Sequence, residues 1–148
     1  MSRIISFRGV LADGGIEEIT LQTNNGLTGY RIVKLEIMGT KPGVDNYESV
    51  VQVFKTKESA TPVTAEIDFN NNRLLAAATY QGNAAAFNYP TTQFTIFDLE
   101  VFNQNIFITH QCLQSGTMNY HIELEQMPLD LNEQTVATLK DIRNVGAE

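Results

Sequence analysis

The chain has 148 residues, 43% of them hydrophobic and 18% charged, enough to bury about two-thirds of its unfolded surface around one core. Ten basic against seventeen acidic residues give a net charge of −7, the wrong sign for coating nucleic acid or an anionic membrane. One cysteine, Cys112, excludes an internal disulfide, no apolar run is long enough to span a bilayer, and the first residues lack a signal-peptide core.

Taken in chain order, the pattern predicts about nine strands, near 3–11, 16–22, 29–38, 48–56, 63–69, 73–80, 93–98, 105–110 and 118–126. Several alternate greasy and wet side chains, the mark of a strand with one buried face. Val63, Ala65, Ile67 and Phe69 alternate strictly with Thr64, Glu66 and Asp68, and Val33, Leu35 and Ile37 alternate with Lys34 and Glu36. The stretch 48–56, rich in Val and Phe, reads as a strand covered on both faces. Turn residues separate the runs at Asp13-Gly14-Gly15, Asn24-Asn25-Gly26, Lys41-Pro42-Gly43, Asn70-Asn71-Asn72 and Ser115-Gly116. With no helix between the strands, a parallel sheet is disfavoured. The expectation is a single all-β domain over 1–148, an antiparallel β-sandwich, jelly-roll-like, of eight or nine strands.

A short C-terminal helix is expected near 132–144, with Asn132 as N-cap and Val136, Leu139 and Ile142 recurring every three residues. It is too short to stand alone and must dock on its own sheet or on a neighbour. Ala76-Ala77-Ala78 and Ala84-Ala85-Ala86 form a local echo of small residues, read first as strand and loop over a crowded core and second as a subunit contact. With the helix face, Tyr80, Phe87 and Tyr89 are the candidate partner contacts.

The inventory for catalysis is thin. His110 and Cys112 would share a strand face, and His121 would meet them across a hairpin closed at Ser115-Gly116. That trio falls short of the four ligands of a structural zinc site. Asp68 to Asn72 begin like a calcium loop, but Arg73 and Thr79 occupy the positions that need glycine and glutamate, so Asx turns explain the asparagines better. Glu66/Asp68 and Glu123/Glu125 have a spacing open to glycosidase chemistry, which the solvent face of any alternating strand also produces. No catalytic residue, cofactor or metal is therefore assigned. Asn and Gln together number 22 and Thr 15, a composition suited to uncharged polar contacts.

The run 119–126, the segment 129–144 and the texture around Phe97-Asp98 and Ile106-Phe107-Ile108-Thr109 resemble small β-rich virion structural proteins of marine tailed bacteriophages. The resemblance contains no motif of known chemistry. It implies a non-enzymatic particle subunit, above all a head decoration or minor capsid protein. Such a subunit would contact major capsid or tail and neck proteins and copies of itself, reside in the virion, and bind neither nucleic acid nor membrane. The alternatives are a glycan-binding adsorption module using Tyr47, Tyr80, Phe87, Tyr89 and Tyr120, and a small hydrolase using the paired carboxylates.

Overall fold

A computed structural model describes residues 3–21, 28–82, 91–113 and 116–128. In chain order they form β1 (Arg3–Leu11), β2 (Ile16–Ile19), β3 (Thr28–Gly39), β4 (Tyr47–Phe54), a single-turn helix α1 (Lys57–Ala60), β5 (Leu74–Gly82), β6 (Thr91–Ile96), β7 (Ile106–Cys112) and β8 (Met118–Pro128). Every strand pairing is antiparallel. One sheet, here called A, has the order β1-β8-β3, and the other, B, has the order β2-β7-β4-β5-β6. The expected antiparallel, two-sheet, all-β architecture is what the chain adopts.

The two sheets share one core. Ile32, Leu35, Ile122, Leu124 and Tyr120 from sheet A meet Tyr47, Val51, Val53, Ile106 and Ile108 from sheet B, all essentially removed from water. In β3 the alternation slips once. Ile32 pairs with Leu124 and Leu35 with Ile122, so Val33 becomes the extra residue of a bulge and both larger side chains face inward. The Ala76-Ala77-Ala78 run lies buried in β5, as its crowded-core reading requires.

Two expectations are overturned. The run 63–69, the clearest alternation in the sequence, is not a strand; its residues are exposed or half-buried. It crosses the outer face of sheet B, where the buried amide of Gln52 donates to the carbonyls of Thr64 (3.2 Å) and Glu66 (3.0 Å). A side chain thus supplies donors that a neighbouring strand would otherwise provide. Nor do β7 and β8, the strands on either side of Ser115-Gly116, pair as the expected hairpin: β7 belongs to sheet B and β8 to sheet A. Helix α1 was not anticipated; the Thr56 hydroxyl caps it by accepting from the Ser59 amide at 3.2 Å. The C-terminal helix near 132–144 lies outside the described residues. No helix among the described residues is long and apolar enough to cross a membrane.

Candidate interaction surface

The expected contact residues divide sharply. Val136, Leu139, Ile142, Phe87 and Tyr89 lie outside the described residues. Tyr80 is buried, as are Tyr47 and Tyr120, so none of the three offers a ring to a partner or a sugar. Each phenol instead reaches a polar group inside the sandwich, which is how a buried tyrosine avoids losing its hydroxyl's hydrogen bond. Tyr47 fits a slot between Gly39 and Gly116, where a Cβ would come within 2.5 Å of its ring. Its hydroxyl accepts from the Lys41 amide at 2.9 Å, and its ring meets Tyr80 edge-on with centroids 5.3 Å apart. Tyr80 hydrogen-bonds the Gly39 backbone. Tyr120 bonds Glu17 across the sheets, and burial, reinforced by that carboxylate, raises its pKa to about 12.

The metal trio does not assemble. His110 and Cys112 lie on β7 inside the core, whereas His121 lies on β8 beside Glu36 on the outer face of sheet A. His110 makes a pair that the sequence did not signal, because its partner is 61 residues away. Its Nδ1 lies 3.1 Å from the Ala12 carbonyl, which can only accept, so Nδ1 carries the proton; Nε2 then accepts from the Ser49 hydroxyl at 3.1 Å. This looks like a nucleophile and its base, but Ser49 is 1% exposed and His110 0%. Burial holds the imidazole pKa below its ordinary value, and the pair acts as a neutral cross-link between β4 and β7.

A second polar group of long sequence separation sits at one end of sheet B. The Lys55 side chain, 2% exposed, places its ammonium 3.2 Å from a Glu100 carboxylate oxygen, 45 residues away. Nearby, Asn105 accepts from the Leu21 amide (2.8 Å) and donates to Glu18 (2.7 Å). Burial and pairing of this kind hold loops in place. The calcium-like run resolves into two Asx turns, with the Asn70 amide donating to Asp68 (2.9 Å) and the Arg73 amide to Asn71 (3.0 Å). Glu66 and Asp68 stand exposed on the covering segment, and Glu125 is held 2.6 Å from Arg31.

Outward-facing groups concentrate on sheet A. Across its three strands run four rows: Ile4–Glu125–Arg31, Ser6–Glu123–Lys34, Arg8–His121–Glu36 and Val10–Asn119–Met38. The hydrogen bond from His121, helped by the charge of Lys34, lowers the Glu36 pKa. At the ends of this charged field Ile4, Val10 and Met38 stand more than half exposed (53%, 57% and 59%). A groove of about 630 Å³ runs between Arg8, Val10, Asn119, His121, Glu36 and Met38. Along one side of the sheet β1 has a single ladder neighbour among the described residues, β8, and its nine-residue register is unbroken. On sheet B the exposed rings of Phe69 and Phe94 flank a groove of about 490 Å³ floored by Ala77, Thr79 and Thr95.

The chain is thus an all-β protein of two antiparallel sheets whose buried polar groups serve structure and whose open surface is a sheet face and its edge. No protein-family model and no curated protein sequence matches it. Among solved structures it is similar to the crystal structure of Yersinia pseudotuberculosis-derived mitogen (YPM), with 11% identity and a TM-score of 0.32 over 88% of this chain and 89% of that one. At that TM-score the likeness carries no argument about fold or activity.

Proposed function

We propose that the protein is a non-enzymatic structural subunit of a tailed-phage particle, a decoration or minor capsid protein that binds the particle lattice and copies of itself. The observation that carries this reading is the outer side of sheet A, where β1, a long strand with one ladder neighbour among the described residues, exposes Ile4 and Val10, and β3 on the opposite border exposes Met38. An exposed ladder edge is a template for pairing with another chain, and apolar side chains beside it favour contact over solvent. The resemblance of the chain's C-terminal part to small virion proteins supports the same role.

A jelly-roll sandwich is the finer form of this proposal. In that fold eight strands nest as antiparallel pairs, first with eighth, second with seventh, third with sixth and fourth with fifth. Here β1 pairs with β8, β2 with β7 and β4 with β5, while β3 lies near β6 without sharing a ladder with it. β6 instead joins β5 at the edge of sheet B. Three nested pairs and a displaced fourth support a jelly roll opened along one side.

Mass spectrometry of purified particles tests the role. The protein is expected among the virion components at reproducible stoichiometry; abundance in infected-cell lysate with none in particles would sink the reading. A glycan-binding adsorption module is the second reading, favoured by the Phe69 and Phe94 rings beside Thr79 and Thr95. A glycan array with no hits would remove it.

A further inference from the structure

We infer that β1 is the self-association surface: two copies join antiparallel, edge to edge, about a two-fold axis at Phe7, merging two three-stranded sheets into one of six strands. The inference rests on the self-binding part of the proposed function and specifies where and in what register it occurs. A two-fold interface must be complementary to itself, so the sequence of β1 can be tested against its own reverse.

About Phe7, Ile4 of one copy lies opposite Val10 of the other, and Ser6 opposite Arg8, each twice. Ile4, Ser6, Arg8 and Val10 are the exposed residues of β1 on the outer face of sheet A, so on that face the pairing matches apolar with apolar at both ends. On the inner face Arg3 lies opposite Leu11 and Ile5 opposite Gly9, and the two Phe7 rings meet at the axis. Facing is preserved only in registers that shift by two residues, because a shift by one exchanges the two faces. The neighbouring registers fail. One places Arg8 opposite Arg8; the other sets Arg8 against Ile4. The favoured register is also the one that uses all nine residues of an unbulged strand.

Charge agrees with shape. Neither Arg8 nor Glu123 has an ion-pair partner within 4.0 Å among the described residues. Ser6 is the ladder partner of Glu123, so across the axis the Arg8 guanidinium of one copy reaches over a small serine toward Glu123 of the other. This happens twice, and opposite charges so arranged fix register as well as orientation.

Sedimentation velocity on the full chain tests the inference with Ser6→Arg, Arg8→Glu and the double variant S6R/R8E, each checked for folding by circular dichroism. Ser6 is exposed, so the fold tolerates the change. Wild type is expected at twice the 16.5 kDa chain mass. S6R, which sets arginine against Arg8, and R8E, which sets glutamate near Glu123, should each weaken association about tenfold or more. S6R/R8E, which restores opposite charges across the axis, should recover it. A monomeric wild type, association indifferent to S6R and R8E, or no recovery in the double variant overturns the inference. Those results leave particle incorporation untouched. Conversely, charge-sensitive dimers of a protein missing from particles would sink the virion role and leave the interface standing.

Discussion

The two sheets treat their outer faces in opposite ways. Among the described residues, no segment covers the outer face of sheet A, which carries charges in rows and apolar residues at the corners. Sheet B lays the 61–69 segment over its own, so that Gln52, Phe54 and Ala77 are buried on the side away from the core. A polar side chain inside an alternating strand is therefore solvated on one sheet and a buried structural donor on the other. Period two reports which residues share a face; what covers that face is decided by segments distant in the chain.

The largest expected effect attacks the seam between the sheets. Tyr47 of sheet B is clasped by Gly39 of β3 and by Gly116, so Gly39→Ala forces a methyl into the ring and should cost about 3 kcal/mol in urea unfolding. A loss below about 1 kcal/mol would mean that the slot relaxes freely and the seam is not rigid. Next, Gln52→Leu should strip the cover from sheet B. It leaves the Thr64 and Glu66 carbonyls without their donor, costing about 2 kcal/mol and opening the 61–69 segment to proteases. The same measurement on Glu123→Gln, on the outer face of sheet A, should stay within about 0.5 kcal/mol. Equal effects would erase the distinction between covered and uncovered sheets.

Two titrations probe the interior. His110 has a folded pKa below its ordinary 6.5, so the unfolded chain binds protons more readily. Stability is full above that value and falls as the pH drops through the depressed folded pKa, seen as a falling urea midpoint. Ser49→Ala should remove about 1 kcal/mol at neutral pH by deleting the hydroxyl that Nε2 accepts from. Tyr120 behaves oppositely. With its pKa raised from 10.0 to about 12, its contribution is complete below 10.0 and is lost as the pH rises through 12. Phenolate absorbance should show a late-titrating tyrosine that Glu17→Gln brings earlier. The outer face of sheet A gives a small effect too: Arg31→Met breaks the partly exposed pair with Glu125 and should cost about 0.5–1 kcal/mol, less at high salt.

Most strand positions could be read directly, because Tyr120, Ile122 and Leu124 or Leu35 and Ile37 carry their burial in their order. The 63–69 run misled because Gln52 satisfies its carbonyls, a relation between residues more than ten apart that no window contains. The expected pairing of β7 with β8 failed because turn residues between two strands do not say which sheet each strand joins. The tyrosines misled for a third reason: an amphipathic ring is equally at home outside or, given a hydroxyl partner, inside. β1 was legible as a strand. Its position at the border of sheet A was not, since pairing order depends on contacts between the two ends of the chain.

That pairing order bears on how the protein is made. β8 is the middle strand of sheet A, with β1 and β3 on either side, and it is translated well over a hundred residues after β1 begins, with Arg3 finally meeting Gln126. During synthesis the first and third strands must wait as unpartnered ribbons until their shared template leaves the ribosome. Nascent chains are thus most prone to clump in that interval, and the cell's holding chaperones matter most then.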